Sequence, residues 1–362
     1  MKLLKTLPCL CLVLGLLVFL TGCPETAHTG ENQTTQQTKI EPHGMVFFTF
    51  FDTVSYVYSY AGDTQEEFTV NCNEVSAILE EYHRLFDIYH EYSGVNNLMT
   101  INKNAGGDAI KVDQKLIDFL LYAKELYTLT GGEMNIMMGA VLRPWHDSRS
   151  EASSNPKNAK IPTEEELLAA KAHTDISLLE IDVENNTVRI SDPEASIDVG
   201  ALGKGYATEM AAKHLKESGI TSYVLNIGGN IRIVGTKVDG SGWLTGIKDP
   251  KAPDSSYATY INIANTSCVT SGVYERYFTV GGVRYHHIID KDTLMPSEYF
   301  SSLTVICEDS GLADALSTAL FCMSYEDGAK IVDSLDGVEV LWILPDGEMK
   351  MSEGFSSLVA EN

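Results

Sequence analysis

Two oxygen-bearing side chains stand four residues apart near the C-terminus, at Asp314 and Thr318. Positions i and i+4 of an α-helix lie on one face, so both oxygens can meet the same ligand. A carboxylate and a hydroxyl are hard donors of the kind that Mg²⁺ prefers. The pair therefore permits a metal site, and a local hydrogen bond between the two side chains is the alternative.

A glycine-rich segment, 196–206 (SIDVGALGKGY), is predicted to lead from a strand through a tight turn into a helix. Glycines let backbone amides approach a ligand closely, and a helix N-terminus favours anions. The segment is therefore a candidate phosphate site, with a packing turn as the alternative. It is not a Walker A loop, because Asp198 replaces the required glycine and no Ser or Thr follows Lys204.

The candidate acid–base group is His287, since an imidazole titrates near neutral pH; a structural histidine is the alternative. His286 precedes it directly. In a strand, adjacent side chains point to opposite faces, so the two imidazoles are not expected to bind one metal together. A further glycine pair, Gly228 and Gly229, predicts a hairpin-type turn.

Acidic residues outnumber basic ones by 50 to 26, which gives a formal net charge of −24. Such a surface repels a phosphate backbone, so nucleic acid is excluded as a partner. We expect any phosphate bound by this chain to be met by a metal ion or by backbone amides rather than by a basic field.

The N-terminus predicts export. Lys2 and Lys5 precede the apolar run 10–20, which has the length of a signal-peptide core and is short for a membrane span. The run ends in Leu20-Thr21-Gly22-Cys23, which resembles the processing box of bacterial lipoproteins. We predict that residues 1–22 are removed and that Cys23 becomes the lipidated N-terminus; an ordinary membrane anchor is the alternative.

The predicted organisation is a signal peptide (1–22), a flexible tether (23–44) and one catalytic domain (45–362). The tether is rich in Thr, Gln and Asn and has no apolar period. No linker-like stretch divides the rest of the chain.

The periodicity of apolar residues predicts alternating groups of strands and helices in this domain. The predicted helices are 74–92, 115–129, 204–217, 312–323 and 326–335, with a short one after the capping box at 163–166. The predicted strands lie within 45–60 and at 177–183, 187–190, 196–199, 223–227, 231–235, 258–263, 277–280 and 338–344. Strands joined by tight turns and interspersed with helices favour an α+β fold with antiparallel or mixed sheets flanked by helices.

Taken in order along the chain, the motifs resemble those of the ApbE family, the FAD:protein FMN transferases. The matching stretches are 198–206 (DVGALGKGY), 225–230 (LNIGGN), 270–277 (TSGVYERY), 287–290 (HIID) and 313–318 (ADALST), with looser matches at 132–136 and 89–102. The resemblance covers residues 50 to 345. It is specific because five short motifs fall in one order.

The resemblance implies an activity and a metal. A threonine of an acceptor protein would attack FAD with release of AMP, leaving FMN bound to the protein. Mg²⁺ would neutralise the diphosphate, with Asp314, Thr318 and the carbonyl of Ala201 as its ligands. The implied partners are FAD, an exported acceptor flavoprotein and, through the lipid, the bacterial membrane.

The resemblance also implies the remaining roles. His287 would take the proton of the attacking hydroxyl, and Asp198 and Lys204 would fix the glycine-rich turn and the phosphate. The other residues implied in flavin binding are Tyr89, Gly228, Gly229 and Ser271.

Two further activities stay open at this point: Mg²⁺-dependent hydrolysis of FAD to FMN and AMP, and storage of FAD without catalysis. The sequence also departs from the family pattern after His287, where Lys291 and Leu294 replace the usual proline and glycine. We therefore expect an altered turn there. Asn135 stands where many members have Asp, and no charge-dependent role is assigned to it.

We expect Cys23→Ser to leave the precursor uncleaved or to release the protein from the membrane, because the sulfur is the predicted attachment point of the lipid. Cell fractionation and the mass of the mature chain measure this. Normal processing with unchanged membrane retention would contradict the lipoprotein assignment.

Overall fold

The computed structural model describes residues 41–361, so the predicted signal peptide, Cys23 and most of the tether lie outside the described residues. Strand β1 begins at His43, two residues before the predicted start of the domain. No helix in the described range is long and apolar enough to cross a membrane. The helices are α1 Gln65–Phe86, α2 Leu98–Lys103, α3 Gln114–Leu129, α4 Gly139–Ser154, α5 Glu164–Lys171, α6 Gly203–Glu217, α7 Ser310–Ala319 and α8 Tyr325–Asp333.

The strands form one large sheet and three small ones, and every pair of neighbouring strands is antiparallel. The large sheet has eight strands in the order β1-β2-β6-β7-β10-β13-β14-β15, and the small sheets are β3-β5-β4, β8-β9 and β11-β12. The strands are β1 His43–Phe47, β2 Ser55–Ser59, β3 Ile110–Lys111, β4 Leu179–Asp182, β5 Thr187–Ile190, β6 Tyr223–Ile227, β7 Asn230–Val234, β8 Trp243–Lys248, β9 Tyr257–Ile263, β10 Ser267–Gly272, β11 Tyr277–Val280, β12 Val283–His286, β13 Ser302–Cys307, β14 Glu339–Ile343 and β15 Met349–Met351.

Both faces of the large sheet are covered. Alternate residues of a strand point to opposite faces, so Val340 and Trp342 of β14 join the main core on the side of α1, α6 and α7. Leu341 and Ile343 of the same strand join a second core under the β8-β9 hairpin. The predicted α+β class with antiparallel sheets is confirmed.

Helix α1 corrects the prediction for 74–92. The helix starts at Gln65, where Thr64 and Glu67 form a capping box, and it ends at Phe86. It ends there because Asp87 turns extended, and its carboxylate accepts hydrogen bonds from the backbone N–H groups of Tyr89 and His90. Tyr89 therefore lies in a loop.

The strand predicted at 196–199 is wrong. The segment is extended, but its only pairing is an isolated parallel bridge between Ser196 and Met138. Gly139 N–H donates to the carbonyl of Ser196, and Asp198 N–H donates to the carbonyl of Ile136. On its other side, the side chain of Asn102 donates to the carbonyl of Ile197 and accepts from its N–H (2.9 and 2.8 Å), in place of a second strand.

Helix α4 was not predicted. It has no side-chain cap at its start and contains Pro144, which cannot donate a helical hydrogen bond. One of its faces buries Val141, Trp145 and Ala152 in a third core cluster. This apolar face holds α4 in place despite the proline.

A buried ion pair ties α6, β7 and α7 together. Arg232 Nε of β7 lies 2.9 Å from Glu209 Oε2 of α6, and both side chains are less than 5% exposed. The same carboxylate oxygen accepts the N–H of Ser310, the first residue of α7 (2.9 Å). Removing one partner would leave a buried charge without compensation.

We therefore expect Glu209→Ala to lower the free energy of unfolding by about 3–5 kcal/mol in denaturant titrations. The control is Lys103→Ala, which removes an exposed pair with Glu91 and should cost less than about 1 kcal/mol. Equal losses in the two variants would contradict the proposed role of the buried pair.

Candidate functional site

The ten described residues that the sequence predicts for the site all line one cavity of about 1880 Å³. They come from distant parts of the chain: Tyr89, Asp198, Ala201, Lys204, Gly228, Gly229, Ser271, His287, Asp314 and Thr318. Their individual roles stay predictions, but their convergence is a property of the fold.

Asp314, one of the predicted metal ligands, lies where α6 and α7 touch. Asp314 is 4% exposed, and its Oδ2 accepts the N–H of Gly205 at 2.8 Å. Its Oδ1 lies 3.5 Å from Nζ of Lys204. Thr318 lies one turn after Asp314 on α7, and Ala201 lies in the glycine-rich turn before α6. The carboxylate, the hydroxyl and the backbone carbonyl are all hard oxygen donors, which fits Mg²⁺. Lys204 is thus close to the predicted metal ligand.

Asp198 shapes the glycine-rich turn. Its Oδ1 accepts the N–H of Gly200 at 2.8 Å, and the side chain is almost fully buried. Because the Asn102 bonds hold the preceding residue Ile197, the turn enters the cavity from a fixed position. The predicted role of Asp198 in fixing this turn is consistent with its contacts.

The turn between β6 and β7 needs both of its glycines. Gly228 and Gly229 have φ of 57° and 94°, a region that disfavours other residues. A Cβ on Gly228 would also lie 2.5 Å from the side chain of Thr53. Ser271 lies on β10, the strand next to β7, and shares a hydrogen bond with Ser317 at 2.9 Å.

His286 and His287 separate as predicted. His287 lines the cavity, whereas His286 is buried and its Nε2 lies 2.8 Å from the carbonyl of Ser297. Nδ1 of His287 lies 3.2 Å from the carbonyl of Arg276, which leaves Nε2 as the available lone pair. Burial and the charges of Arg276 and Arg149 lower the pKa of His287 to about 3, so its imidazole is neutral at physiological pH.

Both departures from the family pattern lie in the turn after His287. Leu294 has φ of 62°, the left-handed conformation that a glycine adopts most readily. Its side chain is buried in the third core cluster. Lys291, the other departure, forms an ion pair with Glu133 at 3.1 Å.

The cavity residues that the sequence analysis did not single out include His146 and Arg149 of α4, and Arg276 after β10. Arg276 falls inside a motif that carried the resemblance, 270–277, and could have been found there. His146 and Arg149 belong to no motif. The expectation that a metal ion or backbone amides would meet a bound phosphate stays a prediction, and two guanidinium groups also line this cavity.

His146 connects two predicted residues. Its Nδ1 lies 3.3 Å from the hydroxyl of Tyr89 and 3.8 Å from Oδ2 of Asp198. Burial lowers the pKa of His146, while the Asp198 carboxylate opposes that shift. Tyr89, which is 55% exposed, thus lies over the glycine-rich turn at the mouth of the cavity.

Comparisons with known proteins agree on one family. The model of the ApbE family matches residues 53–342. The chain is 30% identical over 293 residues to the FAD:protein FMN transferase of Vibrio cholerae, covering 80% of this chain and 82% of that protein. It is 29% identical over 299 residues to the FAD:protein FMN transferase of Treponema pallidum, covering 78% and 81%.

Solved structures give the same result for the fold. The ApbE protein of Thermotoga maritima superimposes with a TM-score of 0.76 at 29% identity, covering 89% of this chain and 100% of that one. The flavin transferase ApbE of Vibrio cholerae gives a TM-score of 0.72 at 26% identity, covering 88% and 99%. The similarity therefore extends over nearly the whole described domain.

Proposed function

This chain belongs to the ApbE family, and on that basis we propose that it transfers FMN from FAD to a threonine of an acceptor protein, with Mg²⁺ and with release of AMP. The observation that carries the proposal is the convergence of all ten described site residues on one cavity. Its volume of about 1880 Å³ exceeds the roughly 300–1,000 Å³ of ordinary small-molecule sites. The cavity therefore has room for FAD and for part of an acceptor.

In the proposed reaction, the threonine oxygen attacks the phosphorus on the FMN side of the diphosphate. The bond from that phosphorus to the bridging oxygen breaks, and AMP leaves with the electron pair. The hydroxyl proton passes to Nε2 of His287, which is free because Nδ1 faces the carbonyl of Arg276. The lowered pKa of His287 keeps the imidazole unprotonated before the step.

The metal would be held by Asp314, Thr318 and the carbonyl of Ala201. When bound, it would supply positive charge that offsets the negative charge of the diphosphate. Lys204, at 3.5 Å from Asp314, would add a second positive charge at the same place. The backbone around Gly228 and Gly229, with Ser271 and Tyr89, would contact the flavin or the adenine.

We also propose that the mature protein is exported and anchored to the bacterial membrane by a lipid on Cys23. The support is the N-terminal sequence alone: two lysines, an apolar run and the processing box. The acceptor would then be an exported flavin-carrying redox protein. An anchored enzyme on a tether can reach such a partner at the membrane surface.

The transferase activity is tested by incubating the protein with FAD, Mg²⁺ and an exported acceptor of a related family member. We expect covalent FMN on the acceptor and one AMP per transfer. His287→Ala should slow the transfer by about 10²- to 10⁴-fold, the usual contribution of a general base. FAD affinity should change little, because proton removal matters in the transition state.

The control is His214→Ala, which removes an imidazole at the protein surface. AMP release that does not require an acceptor would instead identify an FAD pyrophosphatase, and FAD binding without AMP would identify a storage protein. A His287→Ala defect confined to FAD affinity would show that the base is another group.

The metal assignment predicts a charge requirement at Asp314. Asp314→Asn keeps an oxygen that can accept the Gly205 N–H, so the contact between α6 and α7 should survive. We expect the transfer rate to fall about 100-fold or more, as loss of a few kcal/mol of charge stabilisation implies. Asp327→Asn, an exposed carboxylate on α8, is the control, and full activity of Asp314→Asn or after exhaustive chelation would contradict the assignment.

A further inference from the structure

Helix α4 presents a polar face to the cavity. Residues at helical spacing on this face all line it: Leu142, His146, Arg149, Ser150 and Ser153. The opposite face is anchored in the third core cluster through Val141 and Trp145. The position of Arg149 is therefore set by a packed helix and not by a surface loop.

Arg149 and Arg276 both line the cavity that contains His287. Burial and the charge of Arg276 lower the pKa of Arg149. Within residues 41–361, neither guanidinium group is within salt-bridge distance of a carboxylate, although the charge of Asp198 raises the pKa of Arg149. Arg149 is partly buried and Arg276 is exposed. Their like charges repel each other, and an anion between them would offset this repulsion.

The location of His287 indicates which anion would lie between the two guanidinium groups. Arg276 adjoins His287, because its carbonyl lies 3.2 Å from Nδ1 of His287, and the charges of both arginines lower the pKa of that imidazole. In the proposed function, His287 takes the proton of the attacking hydroxyl and must lie within about 3 Å of that oxygen. The oxygen is at the same time forming its bond to the FMN-side phosphorus. Cations beside His287 are therefore beside the phosphate under attack.

We propose that Arg149, together with Arg276, binds the non-bridging oxygens of the FMN-side phosphate and stabilises their charge during transfer. This inference rests on the proposed function. A guanidinium presents two parallel N–H donors that match two phosphate oxygens. Asp314, Thr318 and Lys204 lie at the contact between α6 and α7, so the diphosphate would be held from two sides. No bond to Arg149 forms or breaks, and its protons stay in place.

The test uses equilibrium binding as well as turnover. We compare Arg149→Ala, Arg149→Lys and Arg143→Ala, the last being an exposed arginine of the same helix outside the cavity. Titrations measure the affinities for FMN, riboflavin and AMP, and transfer to the acceptor measures the rate. FMN and riboflavin differ only by the phosphate, so their ratio reports contact with it.

We expect Arg149→Ala to weaken FMN binding by about 10- to 100-fold and to leave riboflavin and AMP within about twofold. The transfer rate should fall by about 10²- to 10³-fold, as on loss of one donor to a developing anion. Arg149→Lys should recover part of both losses, because it restores the charge without the paired donors. Arg143→Ala should match the wild type.

Two results would overturn the inference. Weaker AMP binding with unchanged FMN binding would place Arg149 at the leaving phosphate, and equal weakening of FMN and riboflavin would mean that it contacts no phosphate. If the wild type transfers no FMN but its preference for FMN over riboflavin depends on Arg149, the proposed function fails while the phosphate contact is supported.

Discussion

The placement of the site depends on one close contact between two helices, α6 and α7. At Gly205 there is no space for a side chain, since a Cβ would lie 2.3 Å from the carbonyl oxygen of Ser310 and 2.4 Å from Cβ of Asp314. The bare backbone lets Gly205 donate its N–H to Asp314, and Glu209 accepts from Ser310 one turn further along α6. The glycine-rich turn before α6 and the oxygens of α7 are thereby fixed at one place.

The cavity lining holds both acidic and basic side chains. Lys204, Arg149 and Arg276 line it together with carboxylates that include Asp198 and Asp314. In the free protein, burial and two of these cations keep His287 unprotonated. A bound diphosphate would offset their charge and raise the pKa of His287 toward neutrality. In the proposed mechanism, the basicity of His287 would therefore depend on occupancy of the cavity, as suits a base that accepts a proton only when substrate is present.

Sequence periodicity predicted elements that have one apolar face, such as α6 and β6. It missed β13, because all six of its residues are buried and the strand shows no alternation. It wrongly predicted a strand before Gly200, because a period of two cannot reveal that the hydrogen-bonding partner is the side chain of Asn102. Motifs carried the ten site residues. His146 and Arg149 lie about fifty residues from Asp198 in sequence, and only the packing of α4 brings them into the cavity that Asp198 lines.

The loop after His287 is connected to α4 through Leu294. The left-handed backbone at Leu294 costs about 1 kcal/mol or more for a residue with a side chain, a cost that a glycine avoids. The leucine offsets this cost in two ways: its side chain packs in the cluster that holds Trp145, and its carbonyl accepts the indole N–H of Trp145 at 3.0 Å. A glycine could keep the hydrogen bond but not the apolar contact.

Because Trp145 precedes His146 on α4, Leu294 holds helix α4, which carries Arg149, against the loop that carries His287. Leu294 therefore joins the loop that carries the proposed base to the helix that carries Arg149.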